Sequence, residues 1–297
     1  MSLRQDMQIY LGHHSLTIST FFMLFVFQQT GKTNHGQKLY GRAIRHKDVR
    51  LCAVGATAFM LAMRFSLTSE FVGFSAADWL NNQTWFDVKL LVDATRNNWN
   101  MCRPMTNDTY SKAVKSVLDV LGVPSSHWVH LGRTMGPKIL EMLETEAEDI
   151  RRLGNWDPTM QEARYSTKLP LPAMRDMAGF TTAAGMYFNP RTVVKPSQDL
   201  MMKTPFRFAI PILDEVEREV NGKNERAYTA LSFLRFLKEM SQIFLQDAAT
   251  IWLFHEDRKA HPIFMMDVFR SVEWEVSLLF SLWIFVLNNL TCGDEIS

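Results

Sequence analysis

The first part of the chain combines strand-like and helix-like hydrophobic patterns. Residues 17–28, TISTFFMLFVFQ, are rich in β-branched and aromatic side chains, a composition typical of a buried strand. Turn-forming residues occupy 29–37, and KLYGRAIRH (38–46) can return as a second strand. The pattern therefore predicts a β-hairpin with a wide turn. Small and apolar residues at helical spacing over 52–67 then predict a buried helix.

Helical patterns dominate the remainder of the chain. Thr106 is suited to cap an amphipathic helix that Gly122 ends. The stretch HLGRTMGPKILEMLETEAEDIRRLG (130–154) predicts a helix with a break near Gly136-Pro137, because proline removes a backbone donor. From about 206 to 287, apolar residues recur at spacings of three and four with charged residues between them.

A change in composition follows Pro205 and suggests a division of the chain. We expect a first domain over 1–204 and a helical extension over 205–297. The predicted fold class is mainly α with a small antiparallel β-sheet or hairpin.

The stretch VSLLFSLWIFVLNNL (276–290) is unusually apolar. It is shorter than the roughly 20 residues that a membrane-spanning helix needs, and acidic residues flank it without a positive cluster. It fits a buried or partner-binding helix better than a membrane span, which stays as the weaker alternative. Dimerisation through this end, giving a homodimer, is a secondary hypothesis.

Composition excludes some classes of protein. The chain is 47% hydrophobic with a formal net charge of +1, so it should fold around a core and its average charge does not point to nucleic acid. The N-terminus lacks a secretory pattern. Three widely spaced cysteines fit a reducing compartment and indicate neither a disulfide framework nor zinc: Cys52, Cys102 and Cys292.

Two short motifs resemble ligand-binding signatures without meeting their requirements. TGKTN (30–34) has Val26 where a phosphate loop needs glycine, and the two histidines of HEDRKAH (255–261) are six residues apart rather than one helical turn. We therefore expect neither a cofactor nor a metal.

The average charge conceals a basic hairpin. Residues 29–50 carry six lysines and arginines against the single acid Asp48, a density suited to a phosphate backbone. Charge alone also fits an ordinary solvated surface. The six cations are Lys32, Lys38, Arg42, Arg45, Lys47 and Arg50.

A second set of residues has the types that phosphodiester transfer through tyrosine requires. His130 and Arg133 are three apart, hence on one face of a helix, and Trp156 and Tyr165 follow. A phenol can attack phosphorus, an arginine can hold the nonbridging oxygens, and histidine and lysine can move protons. Alternatives remain for each: a core or surface tyrosine, a buried ion pair for Arg133 with Glu141 or Asp149, and a structural histidine.

The order of these residues resembles the catalytic domain of tyrosine recombinases. More closely, GKTNHGQKLYGRAIRHKDVRLCAVGATAFML, WFDVKLL, RRLGNWDPTMQEARYSTKLPLPAMRDMAGF and ILDEVE…FLQDAA resemble the fungal family that unites Crypton-type recombinases with the DNA-binding domain of the large point-centromere-binding subunit of the inner kinetochore. The resemblance covers about 15–265. It implies a recombinase-like fold, a nuclear location and descent from a transposon. The active-site positions that it implies are Lys32, His130, Arg133, Trp156 and Tyr165.

The chain also departs from the recombinase pattern. That pattern has another arginine before the first strand, for which Arg4 is the only nearby candidate, and Asn155 replaces the usual histidine, whose role Trp156 can take. We accordingly expect the first domain, 1–204, to be a recombinase-like DNA-binding domain truncated at its N-terminus, without the DNA-clamping domain of recombinases. Loss of one phosphate-binding donor commonly costs on the order of 10²–10³ in rate.

The resulting prediction is duplex DNA binding without strand cleavage, in the nucleus. One alternative is an active recombinase or transposase that forms a phosphotyrosyl intermediate at Tyr165. The other is a helical protein-interaction module with no role in DNA binding. The residues expected to bind DNA are Lys32, Lys38, Arg42, Arg45, Lys47, Arg151, Arg152, Arg164 and Lys168.

Overall fold

The computed structural model is mainly helical, as the sequence predicts. It describes residues 8–10, 22–28, 38–66, 77–81, 91–92, 103–124, 128, 131–154, 170–180, 189–221, 227–255 and 260–291. A recombinase-like fold remains a prediction.

Three strands pair near the start of the chain. They are β1 (Gln8–Tyr10), β2 (Phe22–Gln28) and β3 (Lys38–Ile44), in the order β1-β2-β3 with both pairs antiparallel. In the longer pair Val26 lies opposite Tyr40, and Phe22 lies opposite Ile44. Strands β2 and β3 are those of the hairpin that the sequence predicts, and the intervening segment 29–37 lies outside the described residues.

Helices follow the sheet, with 3-10 turns at Val49–Leu51, Pro190–Thr192, Pro262–Met265 and Asp267–Arg270. We number the α-helices in chain order: α1 (Ala53–Ser66), α2 (Asn107–Val120), α3 (Leu131–Met142), α4 (Ala147–Leu153), α5 (Leu171–Met177), α6 (Gln198–Met201), α7 (Ala209–Asn221), α8 (Ala227–Phe254) and α9 (Val272–Thr291).

Helix α2 has the ends that its sequence predicts. The Thr106 hydroxyl accepts a hydrogen bond from the Thr109 N–H at 3.1 Å, which satisfies one of the free donors of the first turn. The chain leaves the helix through Gly122, whose φ of 65° is a left-handed conformation that glycine adopts without strain.

The predicted break at Pro137 is wrong. Helix α3 runs from Leu131 to Met142 with Pro137 inside it. Proline removes the hydrogen bond that would have reached the carbonyl of Arg133, but Arg133 is exposed, so water can satisfy that carbonyl.

The principal core is built around α8, which packs against α1, α7 and α9. Phe244 in α8 is 0% exposed, and its ring lies 5.2 Å from that of Phe59, 6.3 Å from that of Phe206 and 5.6 Å from that of Phe269. This core takes residues from both sides of Pro205. The division of the chain after residue 204 therefore stays a prediction.

A second, smaller core joins β3 to helices α3, α4 and α5. Ile44 at the end of β3 packs with Met174 and Ala178, while Leu140, Ile150 and Ala173 form an adjoining cluster. Leu153 packs against both clusters. We refer to these residues as the second core.

Helix α9 includes the apolar stretch at the end of the chain. Its first turn is anchored by Trp274, which is buried against Phe269 with ring centroids 4.8 Å apart. Farther along, Leu279 is 67% exposed and Trp283 is 57% exposed, so a buried position is wrong for this face. Among the residues with described placement, no helix combines the length and apolarity that a bilayer crossing requires.

Candidate nucleic-acid interface

The predicted active-site residues fall mostly in segments that the structure does not describe. Arg133 is the exception. Lys32, His130, Trp156 and Tyr165 lie outside the described residues, as do Arg164 and Lys168. Their chemical roles and DNA contacts stay predictions.

Two of the predicted DNA-binding cations lie on strand β3. Lys38 is paired with Gln28 and Arg42 with Leu24 in the antiparallel register. Strand β3 ends at Ile44, which packs in the second core. The position of the hairpin therefore depends on the contacts made at this end of β3.

Arg45 is a correction to the predicted DNA contacts. Its side chain is 2% exposed, and its guanidinium donates to Oε1 of Gln246 and to Oδ1 of Asp247 on α8. A buried guanidinium engaged in this way does not present itself to a phosphate. The residues around Arg45 give no indication of this, because the paired acid lies 202 residues away.

Lys47, two residues farther on, is exposed as a DNA contact requires. Its backbone N–H donates to the carbonyl of Ala178 at 2.8 Å, which fixes it beside α5. Arg50 is instead paired with Asp48, Nη2 to Oδ2 at 2.5 Å, and these hydrogen bonds hold the pKa of the Asp48 carboxyl well below its usual range. Asp48 therefore offsets the charge of Arg50, whereas Lys47 is an exposed positive charge that is not paired with Asp48.

Helices α3 and α4 carry the remaining described cations. Arg133 is exposed in the first turn of α3, so a buried position is wrong for it, and its contact with DNA stays a prediction. Arg151 is also exposed, and its Nε donates to the carbonyl of Ala147 at 3.4 Å. Arg152 pairs with Glu148 one turn earlier, which offsets its charge.

Helix α5 brings these cation-bearing elements together. It packs against α3, α4 and β3 through the second core. A buried hydrogen bond at 2.5 Å from the Thr145 hydroxyl to Oδ2 of Asp176 also fixes the turn between α3 and α4 on α5.

The segment 44–48 lies where the hairpin, α5 and α8 meet. The backbone carbonyl of His46 accepts hydrogen bonds from Nη2 of Arg191 and from Nδ2 of Asn189. The backbone N–H of His46 donates to the buried thiol of Cys52 at 3.4 Å. Burial lowers the pKa of the His46 imidazole, which favours the neutral ring beside Arg191.

Sequence reasoning missed the residues of later segments that contact Arg45 and His46. Asn189, Arg191, Gln246 and Asp247 were not among the predicted site residues. One signal was present: the pair Gln246-Asp247 lies within the apolar helical run IFLQDAA, where a charge is retained only with a buried partner.

Comparison with known proteins gives one family match. A family model described as "Centromere DNA-binding protein complex CBF3 subunit, domain 2" matches residues 5–275, a range that contains both cores and every predicted site residue. No curated protein matches the chain.

Proposed function

Because this chain belongs to the family of the centromere DNA-binding protein complex CBF3 subunit, domain 2, we propose that it binds duplex DNA. One structural observation supports a particular surface for this binding: β3, α3 and α4, which bear predicted cations, all pack with α5 in the second core. The surface comprises the hairpin, the start of α3 and the end of α4. Its exposed cations include Lys47, Arg133 and Arg151.

Binding through such a surface is dominated by phosphates. Each lysine or arginine that neutralises a phosphate releases counterions, so affinity falls as salt rises. The paired ions at Arg50 and Arg152 contribute less, since each already has a carboxylate partner.

We further propose that the chain does not cleave DNA. The tyrosine-recombinase reaction would use Tyr165 as nucleophile and Arg133 with a second arginine on the phosphate, and Asn155 stands where that pattern usually has a histidine. A nuclear location and a transposon-derived, Crypton-related ancestry in fungi belong to the same proposal.

We expect a salt-sensitive complex with duplex DNA and no covalent adduct. The measurement is a native gel beside a denaturing gel, with labelled nicked duplex at several salt concentrations. An increase from 50 to 200 mM salt should weaken binding by roughly 10³-fold if about six phosphates are contacted.

Tyr165→Phe is the matched control for this experiment, because it removes only the phenolic oxygen. An adduct in the original chain that is lost in this variant would establish the recombinase alternative. The absence of a shift at every salt concentration would leave the helical interaction module as the remaining hypothesis.

One observation favours a second activity, self-association through α9. Val276, Leu279, Phe280 and Trp283 are spaced to share one face, and all four are exposed. Because such a face is costly to leave in water, we propose that it pairs with the same face of a second copy in a homodimer.

Light scattering over a range of protein concentrations tests the homodimer. We expect a dimer whose dissociation constant rises at least tenfold in Leu279→Glu, since a charge would be buried between the helices. Val120→Glu, at a residue 85% exposed on α2, is the matched control and should change nothing. A monomer at every concentration would contradict the homodimer.

A further inference from the structure

A buried ionic cluster links three distant parts of the chain at the foot of the hairpin. The Arg45 guanidinium contacts Gln246 and Asp247, and Nη1 of Arg191 lies 3.4 Å from the same Asp247 oxygen. Gln246 extends the cluster by donating to the carbonyl of Val194 at 2.6 Å. The cluster therefore joins the end of β3, helix α8 and the 3-10 turn at Pro190–Thr192.

Stability alone gives little reason for this arrangement. Desolvating ions is costly, and a buried ion pair can often be replaced by apolar side chains without loss. Here two guanidiniums share one carboxylate that is 0% exposed, and Asp247 Oδ2 accepts no hydrogen bond from the part of the chain that the structure describes. The planar guanidinium fork does, however, fix direction and register, which apolar contacts do less well.

Gly55 shows how closely the cluster is fitted. A Cβ built on Gly55 would lie within 3.0 Å of Asp247 Oδ2 and 3.2 Å from its Cγ. A side chain at this point of α1 would therefore displace the carboxylate from its present position beside Arg45.

The cluster holds the segment 44–48, which connects the two parts of the proposed DNA surface: the hairpin, and helices α3 and α4. Toward its N-terminal side, Arg45 follows the strand that carries Lys38 and Arg42. Toward its C-terminal side, Lys47 bonds to Ala178 at the end of α5, whose other contacts position Arg133 and Arg151. A change in the orientation of Arg45 would therefore shift the hairpin relative to the second core.

We propose that Arg45, Asp247 and Arg191 are positioning residues for DNA binding, an inference that rests on the proposed function. They orient the hairpin so that its cations and those on α3 and α4 reach one duplex together. When the cluster is loosened, the hairpin must be ordered at the moment of binding, and the hairpin then neutralises fewer phosphates.

The test compares DNA binding by the intact chain and two cluster variants. Asp247→Asn keeps the shape of the side chain and removes its charge, and Arg45→Lys keeps the charge and removes the fork. Both should bind duplex DNA about tenfold more weakly. Their plots of log K against log salt should be shallower by about 0.9 for each phosphate that the hairpin no longer neutralises.

Leu213→Ala is the matched control, because it destabilises the principal core at a residue that is 2% exposed on α7 and is not a member of the ionic cluster. Affinities are compared at a temperature where circular dichroism shows every variant folded. This control should keep the salt slope of the intact chain, since lower stability alone does not change the number of phosphates that the folded protein neutralises.

The outcomes separate this inference from the proposed function. Unchanged slopes in both cluster variants, with the intact chain binding DNA, would overturn the positioning role and leave DNA binding standing. An intact chain that binds no DNA at any salt would overturn the proposed function and, with it, this inference. A shallower slope in Leu213→Ala as well would also overturn the positioning role.

Discussion

Asp247→Ala is expected to lower the free energy of unfolding by about 3–5 kcal/mol. The carboxylate is fully buried on α8 and contacts the guanidiniums of Arg45 and Arg191. Its removal leaves two buried cations without the anion that both contact. This lowers stability more than replacing the whole cluster by apolar side chains would. Urea denaturation followed by circular dichroism measures the loss.

Asp214→Ala is the matched control for Asp247. Asp214 is exposed on α7, so its replacement should change the free energy of unfolding by no more than about 0.5 kcal/mol. Gly55→Ala should reproduce part of the Asp247 effect, since its methyl group would displace the same carboxylate. Equal and small losses in Asp247→Ala and Asp214→Ala would show that the cluster is not a buried ion pair.

Phe244→Ala is expected to lower the free energy of unfolding by about 3–5 kcal/mol, because it removes a buried ring from its neighbours and leaves a cavity. Phe244 is fully buried, and three aromatic rings surround it: Phe59, Phe206 and Phe269. These rings come from different parts of the chain, so they cannot all move inward to fill the space. Thermal denaturation should show a correspondingly lower midpoint.

Tyr228→Ala tests whether position rather than aromatic size decides the effect. Tyr228 lies in the first turn of the same helix and is 53% exposed. Its truncation should cost less than about 1 kcal/mol. A loss as large as that of Phe244→Ala would mean that the core around α8 is not centred on Phe244.

Local signals in the sequence were enough to predict several elements. The cap at Thr106 and the stop at Gly122 define α2, because both act within a few residues of the helix ends. The strand pairing of Phe22–Gln28 with Lys38–Ile44 follows from an apolar run, the turn-forming residues after it and a segment that can return as a second strand. The long helix Ala227–Phe254 follows from its apolar spacing.

Non-local contacts account for what the sequence did not predict. Arg45 has the same local context as the other hairpin cations, and only Gln246 and Asp247, about two hundred residues away, make it a buried side chain. The predicted break at Pro137 was wrong because helix α3 continues through the proline, which removes only the hydrogen bond to the carbonyl of the exposed Arg133. The roles of Lys32, His130, Trp156 and Tyr165 stay predictions.

The packing of α1 on α8 also determines when the chain can fold during synthesis. Helix α1 ends at Ser66, yet the helix that buries its apolar side ends at Phe254. During translation, α1 is exposed for as long as the ribosome needs to add nearly two hundred residues, which at about 5–20 residues per second is about 10–40 s. Such high contact order slows folding. We therefore expect α1 to pack only after α8 has emerged, and a fragment that ends at residue 204 to lack the partner of α1.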